Sequence, residues 1–224
     1  MKHLKTTGII LSRTDYGEAD RILTVLTPDR GKLRLLARGV RKIKSKLAGG
    51  IELFSTSDIT FIEGRGELGT LISTRLIRHY GHIIDDIDRV QLGYELIKVL
   101  NRTTEDHPDA EYYELLEGAF AALDDSAINP KLIHVWFQVQ LLRLSGHSPN
   151  LTDITEGKKY DFDAEGMTFV PSPNGQFTSN NIKFLRLLLG NNQPKAMMRV
   201  EDCADFTAAI QPLVRSMLQD HLRL

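Results

Sequence analysis

The chain has 224 residues, 42% hydrophobic and 25% charged, an ordinary globular composition with room for one large domain or two modest ones. No apolar run suits a signal peptide or a membrane span, and the single cysteine, Cys203, excludes an intrachain disulfide, so a protein of the reducing cytoplasm is expected. The formal charge of −1 hides an imbalance: residues 1–80 carry 15 Lys and Arg against 8 Asp and Glu, a surplus of +7, while the remainder carries 13 against 21, or −8. Such asymmetry points to a polyanionic partner for the first segment and to a domain boundary near Tyr80.

The first 80 residues read as strands. Thr6–Ser12 is β-branched and apolar, Asp15-Tyr16-Gly17-Glu18 signals a turn, and Arg21–Thr27 is a second strand. Pro28-Asp29-Arg30-Gly31 is a strong turn, followed by Lys32–Arg38, where Lys32, Arg34 and Arg38 share one face of a period-2 pattern. Glu52–Phe54, Ser57–Glu63 and Leu68–Ile77 complete the β-rich region, which predicts a small barrel.

Beyond Tyr80 the period changes. Ile84 to Leu100 and Asp109 to Leu123 repeat apolar residues at three- and four-residue spacing, and Pro130 opens a third helix ending near Gly146. Residues 147–177 are polar and turn-rich, with a hairpin expected over Lys159–Val170. Ser179 or Asn180 caps a helix through Leu189, and Glu201–Leu224 reads as the last. The expected organisation is therefore α+β: a β-barrel over 1–80, then a helical domain over 81–224 with a hairpin insertion at about 147–177.

Between Asp29 and Glu52 no acidic residue occurs, yet Arg30, Lys32, Arg34, Arg38, Arg41, Lys42, Lys44 and Lys46 are all basic. A cationic connection ending at Gly49-Gly50 can follow a phosphate backbone and release its counterions. The bland alternative is a solvated loop, and eight cations with no interleaved acid argue against it. Phe54 and Phe61 sit in apolar patterns and read as core, so charge and shape, rather than base identity, should lead binding.

Other signals carry less. Gly64-Arg65-Gly66-Glu67-Leu68-Gly69 has dinucleotide-loop spacing, but a β-branched run follows where a helix is needed, so a hairpin with Arg65 at its tip is expected. Asp85, Asp86 and Asp88 open a helix, where carboxylates meet the dipole favourably, and read as caps rather than a nuclease site. The histidines lack metalloprotease spacing, and Cys203 has no evident base partner. Nothing reads as an enzyme.

Gly8-Ile9-Ile10-Leu11, Asp15-Tyr16-Gly17-Glu18-Ala19-Asp20-Arg21-Ile22, Thr27-Pro28-Asp29-Arg30-Gly31-Lys32 and Ala37-Arg38-Gly39-Val40-Arg41 together resemble the N-terminal signature of the RecO family. Glu67-Leu68-Gly69-Thr70-Leu71 is similar to its later strand motif, and Leu144-Ser145-Gly146-His147-Ser148-Pro149-Asn150-Leu151 to the lead-in of its zinc region. The resemblance implies an OB-fold before a helical domain. It also implies a non-catalytic recombination mediator that binds single- and double-stranded DNA, anneals strands, and works with RecR and the tail of single-strand-binding protein to load RecA. Family DNA-binding positions carry over to Lys32, Arg34, Arg38 and Arg41, with Lys42, Lys44, Lys46 and Arg65 added by charge. One departure stands out: Asp153 and Glu156 occupy the place of the family's first cysteine pair, and no second pair follows, so no zinc is expected. Arg186, Arg199 and Arg215 are candidates for a basic docking patch on the helical half. The competing reading is a regulatory adaptor that uses the same barrel on RNA or DNA without loading RecA.

Overall fold

The computed structural model describes residues 2–64, 66–105, 108–190 and 192–222. The chain forms two compact units, Met1–Asp124 and Asp125–Leu224. In the first, β1 (Leu4–Tyr16), β2 (Asp20–Thr27), β3 (Gly31–Ala37), β4 (Ser55–Ile62) and β5 (Leu68–His79) close into an OB-like barrel of order β1-β2-β3-β5-β4. All pairings are antiparallel except β3 with β5, which sets Arg34, Leu35 and Leu36 against Leu68, Gly69 and Thr70. Alternation sends Ile10, Leu23, Val25, Leu35, Ala37, Ile59, Phe61 and Leu71 inward, joined by Val40 and Ile51 from the β3–β4 connection.

The barrel interior is filled to the backbone. A Cβ on Gly8 would lie 2.4 Å from Val25 Cγ1 and 2.9 Å from Ile59 Cδ1, so no side chain fits there. Two details depart from the sequence expectation. β1 runs on to Tyr16, because the Arg21 guanidinium donates to Asp15 across the hairpin at 2.8 Å, and the turn falls at 17–19. Glu52–Phe54 is not a strand: Phe54 takes a left-handed φ of 56°, its carbonyl accepts from Tyr80 N–H at 3.0 Å, and its ring leaves the barrel.

That ring meets two helices, α1 (Ile87–Thr103) and α2 (Ala110–Asp124). Phe54 packs edge-on against Tyr94 and Phe120, and Phe120 against Tyr80, with centroids 5.2, 5.5 and 5.6 Å apart. Asp86 caps α1, accepting from Asp88 and Arg89 N–H groups, as the acidic cluster implied. Each helix then ends on a cation. The Lys32 ammonium donates to Asn101 and Thr104 carbonyls at 2.8 and 2.7 Å, and buried Arg89 donates to Leu123 O at 2.7 Å.

The second unit holds α3 (Pro130–Leu144), α4 (Ser179–Leu189), α5 (Pro194–Met197) and α6 (Cys203–Leu222). Buried Gln140 on α3 donates to the Leu188 and Gly190 carbonyls at the end of α4. Thr178, not Ser179 or Asn180, caps α4, and Asn181 completes a capping box. The expected hairpin is β6 (Lys159–Asp163) with β7 (Thr168–Pro171), extended by a third strand, β8 (Phe177–Thr178), on the other edge of β6. Among the described residues no helix is long and apolar enough to cross a membrane.

If the barrel interior is as full as the Gly8 contacts imply, Gly8→Ala costs about 1–3 kcal/mol of unfolding free energy in urea titrations. Adding Val25→Ala, which removes the clashing methyl, should give a double variant less destabilised than the sum of the two single losses.

Candidate nucleic-acid interface

The candidate interface starts at the β2–β3 turn and runs past the end of β3. Thr27 Oγ1 donates to Gly31 O at 2.9 Å and accepts from Arg30 N–H at 3.1 Å, which fixes the turn ahead of β3. Lys32 and Arg34 then point outward while Leu35 and Ala37 point in. Arg34 is exposed, its guanidinium 3.8 Å from Glu67. Lys32 shares that row, but its ammonium is engaged by the α1 carbonyls.

Residues 38–47 form a strap of consecutive tight turns, with Lys42 N–H donating to Gly39 O and Ser45 N–H to Lys42 O. Both ends are anchored. At the first, Val40 is buried in the barrel core, Gly39 N–H donates to Asp20 at 2.7 Å, and Arg41 N–H to Ala19 O at 3.0 Å. At the second, Leu47 packs on the core and its carbonyl accepts from Thr74 Oγ1 at 3.3 Å. A Cβ on the following Gly50 would stand 2.4 Å from Thr74 Cβ, so glycine lets the strap lie flat on β5.

Arg38, just ahead of the first anchor, and Arg41, Lys42, Lys44 and Lys46, between the two, are exposed, with Ile43 fully exposed among them. Arg41 lies 3.5 Å from Asp15. Hydrogen bonding from Arg21, aided by the charge of Arg41, holds the Asp15 carboxyl below its usual pKa. Among the described residues the side chains of Arg38, Lys42, Lys44 and Lys46 show no ion pair. Four cations on a rigidly anchored turn present a local positive field to any phosphate chain. Arg65 falls outside the described residues. The flanking strands β4 and β5 pair antiparallel, with Ile62 opposite Thr70.

Sequence reading missed a groove on the barrel wall. Lys5, Thr7, Asp58, Thr60, Ser73 and Arg75 line a shallow polar groove of about 480 Å³ across β1, β4 and β5. Arg75 donates to Asp58 at 3.0 Å, while Lys5 stands exposed beside it. The outward alternation of β5 was the available signal.

Around the region expected to lack zinc, Tyr160 is fully buried and its hydroxyl accepts from Thr155 N–H at 2.6 Å, while Asn150 N–H donates to Met167 O at 2.7 Å. Glu156 pairs with Lys183 at 3.0 Å, and Asp153 adopts a left-handed φ of 60°. Among the described residues no three His, Cys, Asp or Glu side chains gather.

The family model described as recombination protein O N terminal matches residues 1–80, and that for its C terminal matches 84–224. Curated relatives named DNA repair protein RecO include one from Rubrobacter xylanophilus, 32% identical over 76% of this chain and 68% of its own length. Others come from Dehalococcoides mccartyi, 31% identical over 66% of this chain and 58% of its own, and from Acetivibrio thermocellus, 28% over 76% and 68%. The two family models, matched in order along an OB-like barrel and a helical region, show that the chain belongs to the RecO family.

Proposed function

We propose that this member of a DNA repair family binds single strands through the strap and the outer face of β3, anneals complementary strands, and acts as a recombination mediator without chemistry of its own. In that role it works in the cytoplasm with RecR and single-strand-binding protein, so that RecA loads on covered gaps. The carrying observation is the strap: Arg38, Lys42, Lys44 and Lys46 stand exposed on a segment anchored at Val40 and Leu47. Annealing needs two like-charged backbones brought together, and a dense, flexible-tipped cation array lowers that repulsion. Arg34 and Arg41 extend the array, and Arg65 joins it by charge. Lys32 is read as the residue that ties β3 to α1, positioning the array from behind.

The helical unit offers a place for an acidic, apolar tail. A cavity of about 340 Å³ is lined by Ala127, Leu132, Met198, Ala204 and Ala208, with Lys131 among its lining residues and exposed Arg199 next to Met198 in sequence. Arg215 is exposed, while Arg186 donates to Leu151 O and serves the loop instead. The loop over 150–157 is read as zinc-free, held by Tyr160 and the Glu156–Lys183 pair.

Four outcomes follow from this reading. Replacing Arg38, Arg41, Lys42 and Lys44 with alanine makes the log–log salt dependence of single-strand affinity shallower by about 2.8, or 0.7 per lost phosphate contact; an unchanged slope removes the strap from the interface. Lys32→Met, by contrast, leaves that slope in place and lowers unfolding free energy by about 1 kcal/mol. The protein accelerates annealing of complementary strands coated with single-strand-binding protein, and Ala208→Trp, which fills the cavity, weakens that protein's tail peptide in a fluorescence titration. Absence of acceleration with intact strand binding would end the mediator reading and leave the adaptor.

A further inference from the structure

Among the described residues Ile43, in the middle of the strap, is the most exposed of the large apolar side chains. Its relative exposure is 104%, so nothing in the fold covers it, whereas the next, Ile87, stands at 68%. The backbone on both sides is held in turns: Lys42 N–H donates to Gly39 O at 3.1 Å and Ser45 N–H to Lys42 O at 2.9 Å. Ile43 is therefore the second residue of a four-residue turn. Turns favour glycine, proline, asparagine, aspartate and serine, and a β-branched apolar side chain gains nothing from water. Neither packing nor turn chemistry accounts for isoleucine here. Its neighbours are exposed cations, Arg41 and Lys42 before it and Lys44 after it.

We infer that Ile43 is a wedge that enters between neighbouring bases where a single strand meets a duplex, with Lys42 and Lys44 on the flanking phosphates. This rests on the strap being the nucleic-acid interface, and adds to it an apolar contact that touches bases without reading their identity. The surroundings select the occupant. An apolar tip among cations matches flat apolar faces strung on a phosphate chain, and one isoleucine buries too little area to anchor a lipid surface. Magnitude selects the place. Opening an intact base step costs as much as one buried isoleucine recovers, or more, so the wedge fits a step whose stacking is already broken. A β-branched side chain is stiff at χ1, so little rotamer freedom is lost on insertion. Annealing makes such a junction at the growing end of every new duplex, which puts the strap where pairing advances.

The test uses the whole chain and three DNAs: a single strand, a full duplex, and a junction with a fluorescent aminopurine at its last paired position, which brightens on unstacking. Wild type should brighten the probe and bind the junction about tenfold more tightly than the duplex. Ile43→Ser should lose the signal and the preference, and Ile43→Leu should keep both. Ile43→Ser should melt with wild type, because the side chain is fully exposed, and keep the salt slope, because no charge is removed. Alanine at Arg38, Arg41, Lys42 and Lys44 together tells the two readings apart. An unmoved salt slope there means the strap is not the interface, and the wedge goes with it. A flattened slope there, with Ile43→Ser still brightening the probe and preferring the junction, overturns the wedge alone. Binding to phosphatidylserine vesicles that Ile43→Ser abolishes, with junction binding intact, overturns it too.

Discussion

Closing five strands into a barrel is the constraint from which most else follows. Closure leaves no free choice of face: each strand must alternate, small residues must stand where walls approach, and whatever is charged must point out. Gly8 shows how little slack remains inside, and the parallel β3–β5 seam places Arg34 beside Glu67 on the outer wall. The strap is a by-product of the same geometry. The chain must travel from the end of β3 to the start of β4, and it does so held down by Val40 and Leu47, leaving its cations to solvent.

The acid-poor stretch between Asp29 and Glu52 is less uniform in space than in sequence. Asp15 and Glu67 come from neighbouring strands to sit near Arg41 and Arg34, and carbonyls of a helix take Lys32. The uncompensated charge therefore condenses onto the strap itself.

Much of the architecture was legible in the sequence because its signals are local. Period-2 patterning gave β2, β3 and β5, Pro130 marked the start of α3, and Asp86 behaved as the cap its dipole position implied. What escaped reading depended on distant partners. Glu52–Phe54 looks strand-like until Phe54 finds Tyr94 and Phe120, residues 40 or more positions away along the chain. Lys32 looks like every other cation until the end of α1 arrives, 69 residues later in sequence. The polar groove on β1, β4 and β5 likewise exists only once three separated strands lie side by side. Residue type fixed which groups could bind phosphate; tertiary contact decided which were already occupied.

The aromatic contact between Phe54, Tyr80 and Phe120 also bears on how the molecule can be taken apart. The first family match stops at residue 80, yet the compact unit runs to Asp124, because α2 supplies Phe120 and α1 supplies the carbonyls that hold Lys32. A fragment cut at the match boundary would bare Phe54 and Tyr80 to water and free an ammonium that belongs to a helix end. Such a piece would be sticky and artificially cationic, and its affinity for DNA would overstate that of the whole chain. The smallest honest fragment for solution work is the one that carries both helices.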